Sequence, residues 1–143
     1  MSVEVVTEST PELAAAMNRL VPQLSRSTPP LSEEYVRSMV AQKGVYLLVF
    51  RSEDTPEILG MLTLATFDIP TGRRAWIEDV VVHEDARGQG AGQQLVEAAV
   101  SLAQEVGAKS VDLTSRPSRE AANRLYRRCG FVERETNIYR YQG

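Results

Sequence analysis

The chain holds one cysteine, one histidine and no apolar run of membrane-spanning length, and each shortage removes a class of function. A lone Cys129 leaves no internal disulfide to form and suits a reducing compartment. A lone His83 has no second ligand at metal-binding spacing, so it reads as a strand-end surface residue, and no metal site is expected. No stretch approaches the roughly 18 apolar residues of a membrane span, and no signal-peptide core follows Met1. A cytoplasmic protein without membrane partners is therefore the expectation. Basic charge is short as well: 16 Lys and Arg against 19 Asp and Glu give a net charge of −3, the opposite of a general nucleic-acid binder's footprint. A local loop can still hold a small anion. What is present is ordinary for one globular domain over residues 1–143, with 43% apolar and 24% charged residues.

Periodicity and turn chemistry divide the chain. Val3–Thr7 reads as a strand. Thr10 is a helix N-cap with Pro11 in the first turn, and Leu13, Met17, Leu20, Val21 and Leu24 form its apolar stripe. Ser25–Pro30 breaks that helix, and a second begins at Ser32 with Tyr35, Val36, Met39 and Val40 facing inward. Strands are expected over Val45–Arg51, Ile58–Phe67 and Ala75–His83, joined by turns at Ser52–Pro56 and Asp68–Gly72 as an antiparallel meander. A helix over Gly90–Val106 stops at Gly107, a strand covers Ser110–Thr114, and a last helix spans Arg119–Arg128. Phe131–Glu133 and Ile138–Tyr141 read as two short closing strands. The order is β-α-α-β-β-β-α-β-α-β-β, an α/β (α+β mixed) fold. It implies a mixed, mostly antiparallel sheet of six or seven strands flanked by four helices, with a parallel crossover around the glycines.

Those glycines sit in Val80-Val81-Val82-His83-Glu84-Asp85-Ala86-Arg87-Gly88-Gln89-Gly90-Ala91-Gly92. A strand that runs through glycines into a helix start gathers unpaired N–H groups and the positive end of the helix dipole, which attract phosphate. A P-loop would need Lys-Ser/Thr where Gln93-Gln94 stands, and neither Gly88 nor Gly90 opens a G-x-G-x-x-G/A fingerprint. What remains is Arg-x-x-Gly-x-Gly (Arg87, Gly90, Gly92), which resembles the acyl-CoA-binding motif of the GCN5-related N-acetyltransferases (GNAT). Glu120–Phe131 carries a second resemblance to that family, with Asn123, Tyr126 and Gly130-Phe131 at its recurring spacing. Together the two motifs and the strand order cover nearly the whole chain.

The resemblance implies acetyl-CoA as cosubstrate and N-acetyl transfer by direct attack of a primary amine. Backbone of Val80, Val81 and Val82 would pair with the pantetheine amides, and an N–H there would polarise the thioester carbonyl. Arg87, Gly88, Gln89, Gly90, Ala91 and Gly92 would wrap the pyrophosphate, and Asn123 would bond the pantetheine arm or its helix cap. Spacing alone reads Tyr126 as a core or boundary tyrosine, whereas the resemblance makes it general acid toward the departing thiolate. Strand alternation over 76–83 puts Trp76, Glu78, Val80 and Val82 on one face and Ile77, Asp79, Val81 and His83 on the other. A mid-strand carboxylate pair is unfavourable unless used or paired. By resemblance Glu78 is the first choice as base and Asp79 the second, with an ion pair to Arg73 or Arg74 as the structural alternative. Cys129 is a packing residue rather than a nucleophile. Arg116, Arg119, Arg124, Arg127 and Arg128 form a mostly solvated basic face from which Arg116 or Arg119 reaches the ligand. Ile77–Val80, Arg87–Gly90 and Tyr126–Phe131 look locally like glucosamine-6-phosphate acetyltransferases, from which Thr114–Arg119 departs. The acceptor stays open among small amines, amino acids and protein or peptide amines, a homodimer is compatible with the reading, and a non-catalytic acyl-CoA sensor is the alternative.

Overall fold

The computed structural model describes every residue except Met1 and Asp54, so the turn expected over Ser52–Pro56 lies partly outside the described residues. Thr10 caps the first helix, α1 (Pro11–Leu20): its hydroxyl accepts from the Leu13 N–H at 3.1 Å, and Pro11 occupies the first turn. Ser32 does the same for α2 (Glu33–Val40) through the Tyr35 N–H. Three strands precede the glycines after β1 (Ser2–Val5): β2 (Val45–Arg51), β3 (Ile58–Ile69) and β4 (Gly72–Val82). Beyond them lie α3 (Ala91–Glu105), β5 (Ser110–Asp112) and α4 (Glu120–Arg128).

The strands form one five-stranded sheet in the order β1-β2-β3-β4-β5. Every pair is antiparallel except β4–β5, which is parallel across the α3 crossover. Pleat alternation splits the core in two. Leu48, Phe50, Leu62, Leu64, Ala75 and Ile77 face α3, whose Ala91, Ala99 and Ala103 let Leu95 and Val96 approach closely. Leu47, Val49, Met61 and Val81 face Leu13, Met17, Leu20 and Val36 of α1 and α2. Among the described residues no helix is long and apolar enough to cross a membrane.

Three expectations need correction. Tyr35 is exposed rather than inward, because Val36 alone of α2 reaches the buried core, with Met39 and Val40 partly covered. The closing strands do not form: residues 131–143 carry no strand, so the described sheet has five strands instead of six or seven. Their β-prone residues pair with no strand of the described sheet, and β propensity counts only where a pleated partner is engaged. Val132, Ile138, Tyr139 and Tyr141 are all exposed.

The third correction concerns the predicted faces of β4. Met61 pairs with Val81 but Thr63 pairs with Glu78, so Asp79 and Val80 together stand opposite Leu62. That is a β-bulge, and Asp79 takes it up with φ of 50°, a left-handed conformation that aspartate tolerates better than most residues. The extra residue flips the alternation. Val80 and Val82 therefore pack toward the α3 core with Ile77, while Val81 joins the α1–α2 core.

Candidate active site

Strands β4 and β5 part company early. Pairing runs only from Arg74–Ser110 to Trp76–Asp112, so from Ile77 onward the β5-facing edge of β4 has no partner strand. An unpaired edge is a row of free N–H and C=O groups, a template for an extended chain that carries amides. A cleft of about 540 Å³ opens beside it. Val80, Val81 and Val82 form one wall, and Arg119, Ala122, Leu125 and Tyr126 from α4 and its approach form the other. Arg87 and Gly92 reach it from the glycine loop, and Gln23 and Leu24 from the segment after α1.

The glycine loop is built to leave donors free. Gly88 and Gly90 have φ of 83° and 73°, and Gly90 caps α3 without a side chain, so the first-turn N–H groups have no side-chain acceptor. Such a helix start draws an anion. The turn before it is fixed by His83, whose Nδ1 accepts from the Asp85 N–H at 3.1 Å. Gln89 turns away from the cleft: its Oε1 accepts from the buried Ser52 hydroxyl at 3.1 Å and its Nε2 donates to the Asp85 carbonyl. At Gly92 even a methyl group would stand 3.0 Å from Leu125 Cδ2, so glycine here sets how closely α4 approaches α3.

Tyr126 lies half-buried at the base of the α4 wall, its ring edge-on to Phe131 with centroids 6.1 Å apart. Burial pushes its phenol above the ordinary range, the Arg119 charge opposes this, and Cys129 adds to it. The group is a proton donor throughout the neutral range. Burial, and then Glu97, push the Cys129 thiol up as well, while Arg128 opposes them. A thiol held in its protonated form is a poor nucleophile.

A second cavity of about 160 Å³ shares Leu24, Val80, Arg119 and Tyr126 with the cleft. Glu78, Asp79 and Thr114 line only this smaller space. The ion pair weighed for these carboxylates does not form: Arg73 pairs with Asp68 at 2.7 Å, and Arg74 donates to the Thr71 hydroxyl.

The structure thus brings Val80, Val81, Val82, Arg87, Gly92 and Tyr126 to one cleft, with Glu78 in the smaller cavity that shares Val80, Arg119 and Tyr126 with it. Gly88, Gln89, Gly90 and Ala91 shape the loop without lining the cleft. Asn123 does not line it either, and its Nδ2 donates to the Arg116 carbonyl at 3.0 Å, tying α4 to the chain before it. Arg119 stands where sequence reasoning favoured Asn123. Helical spacing alone could not separate them: 119, 122, 123 and 126 recur at i, i+3, i+4 and i+7 on one face, and what spacing does not show is that the Asn123 amide is spent on the Arg116 carbonyl. Gln23 and Leu24 had no signal, because they reach the site only through the fold.

Comparison with known proteins identifies the family. The model of the acetyltransferase (GNAT) family matches residues 13–131. Glucosamine 6-phosphate N-acetyltransferase 1 of Oryza sativa subsp. japonica is 35% identical over 132 residues, 85% of this chain and 76% of that one. An aminoglycoside acetyltransferase from an uncultured soil metagenomic sample superposes with a TM-score of 0.86 at 20% identity, covering 99% of this chain and 95% of that one. Glucosamine-6-phosphate N-acetyltransferase from Arabidopsis thaliana superposes with a TM-score of 0.81 at 18% identity over 100% of both chains. These two distant structures share the fold. The chain belongs to the GNAT acetyltransferase family and is an N-acetyltransferase.

Proposed function

We propose that residues 1–143 act as one catalytic domain that moves an acetyl group from acetyl-CoA to a primary amine by direct attack. The observation that carries this reading is the meeting, in one cleft, of a free strand edge, a donor-rich helix start and a protonated phenol. Acetyl-CoA supplies the activated acetyl group. The free edge of β4 holds its amide-bearing arm, and the bulge at Asp79–Val80 frees backbone N–H for the thioester carbonyl. Arg87 and the first turn of α3 hold its phosphates, with Gly88 and Gly90 giving the loop its shape and Gln89 anchoring it.

Glu78 takes the proton from the acceptor's ammonium, because only the neutral amine attacks a thioester. The nitrogen then bonds to the acetyl carbon as the carbon–sulfur bond breaks. Tyr126 gives its proton to the leaving sulfur, the second proton of the acylated nitrogen and the one held by Glu78 pass to solvent, and Tyr126 is reprotonated from solvent. Cys129 takes no part, since burial keeps it a thiol. The two sugar-acting relatives suggest amino sugars as the first acceptors to try.

Thiol release with acetyl-CoA and a panel of amines tests the reading. Turnover is expected, and Glu78→Gln should lower kcat by about 10²-fold or more. Tight acetyl-CoA binding without turnover of any amine would make the protein an acyl-CoA sensor instead. An unaltered kcat in Glu78→Gln would move the base to Asp79 or to water.

A further inference from the structure

Of the two arginines that line the site, Arg119 is the one that the mechanism above leaves unused. It lines both the large cleft and the small cavity, which places it where the two meet, while Arg87 and Gly92 line only the large one. Its backbone begins α4 in a non-helical conformation, with φ of −86° and ψ of 70°, so its side chain leaves from a turn and not from the helix barrel. Among the described residues its guanidinium makes no hydrogen bond and no ion pair. Glu78 and Asp79, which line the smaller cavity with it, also lack ion-pair partners among the described residues. Three charges therefore surround about 160 Å³ without neutralising one another, and no oxygen of the acidic pair comes within salt-bridge reach of Arg119.

That arrangement has a chemical meaning. Two acidic residues and one arginine that are not paired with one another share the lining of a small cavity with Leu24, Ile77 and Leu113, so both signs of charge are on offer there. A neutral amine uses half of it. An acceptor with an ammonium at one end and an anionic group at the other satisfies both halves, and guanidinium is the side chain best matched to a planar carboxylate or a phosphate. Arg119 and Tyr126 line both cavities together, which sets the anion site beside the phenol that the proposed mechanism uses.

We infer that Arg119 is a specificity residue that selects acceptors bearing an anionic group within reach of the amine, by holding that group opposite Glu78. The inference rests on the amine-acetyltransferase reading above and names the acceptor class within it. Phosphate and carboxylate are the two sources of the anion, and separate substrates distinguish them.

The experiment compares glucosamine 6-phosphate with glucosamine, and an α-amino acid with its decarboxylated amine, in the intact chain and in Arg119→Ala and Arg119→Lys. The wild type should favour the anionic member of at least one pair, and which pair it favours identifies the anion. In Arg119→Ala that preference, as a ratio of kcat/KM values, should fall by about 10- to 100-fold. Arg119→Lys should recover part of it. Calorimetric titration should show acetyl-CoA affinity moving much less than the preference. A preference that survives in Arg119→Ala overturns the inference, and so does a weakening confined to acetyl-CoA binding, which would assign the guanidinium to the donor. If the wild type turns over neutral amines and rejects both anionic ones, Arg119 is not the selector, yet the transferase reading stands. If it turns over none, both readings fall.

Discussion

The two halves of the sheet are built for opposite purposes. Around β2 and β3 every strand has two neighbours and both faces are covered, and Leu48, Phe50, Leu62 and Leu64 have no solvent exposure. Past Trp76 the ladder opens, β4 carries a bulge with one residue in a left-handed conformation, and α4 buries none of its residues fully. The first region satisfies its backbone groups internally. The second leaves them for a ligand, and a bulge and an unpaired edge are what a sheet needs in order to accept a foreign extended chain. Stability and chemistry therefore reside in separate residues of one sheet, and substitutions should separate them.

The widest separation pits Leu95 against Tyr126. Leu95→Ala empties a fully buried site between α3 and the sheet and should lower unfolding free energy by about 2–5 kcal/mol, read by urea denaturation. Tyr126→Phe keeps the ring packed on Phe131 and should leave that curve within about 1 kcal/mol, yet lower kcat by about 10²- to 10⁴-fold. Equal stability losses in the two variants would erase the distinction between the regions.

Gly92 lies on the border. A valine there drives Cβ toward Leu125, so Gly92→Val should destabilise by about 1–3 kcal/mol and raise the KM for acetyl-CoA, as α4 is pushed across the cleft. A stability loss with an unaltered KM would place the cleft elsewhere.

A smaller effect follows from the phenol. Burial raises the Tyr126 pKa above its ordinary value of about 10, which favours the protonated form in the folded chain. Its contribution to stability is whole below about pH 10 and is lost as pH climbs through the folded value. The alkaline limb of the pH–rate profile should accordingly begin above about pH 10 and be absent in Tyr126→Phe.

Much of the first region was legible in the chain. Thr10-Pro11 and Ser32 are capping chemistry with local causes, and Val45–Arg51 is a strand in the structure over the residues its pattern marks. The second region was legible where a motif compresses its function, as with Arg87, Gly92 and Tyr126. It was misread where tertiary context decides. Alternation assumes an unbroken ladder, so the bulge at Asp79–Val80 could not be seen and Val80 and Val82 were assigned to the wrong face. Phe131–Glu133 and Ile138–Tyr141 have strand composition but pair with no strand, and composition alone cannot supply a partner. Asn123 shares a turn with Tyr126, but its amide is taken by the Arg116 carbonyl, and Arg119 lines both cavities instead.

The central claim is that the unpaired edge of β4 is where acetyl-CoA lies. Amide hydrogen exchange read on a peptide spanning residues 77–82 tests it directly, against a peptide from β2 as the internal standard. In the free protein the β4 peptide should retain fast-exchanging amides and the β2 peptide should be protected throughout. Saturating acetyl-CoA should slow the β4 amides and leave β2 as it was. Protection that appears elsewhere, with residues 77–82 still exchanging freely, would contradict the account.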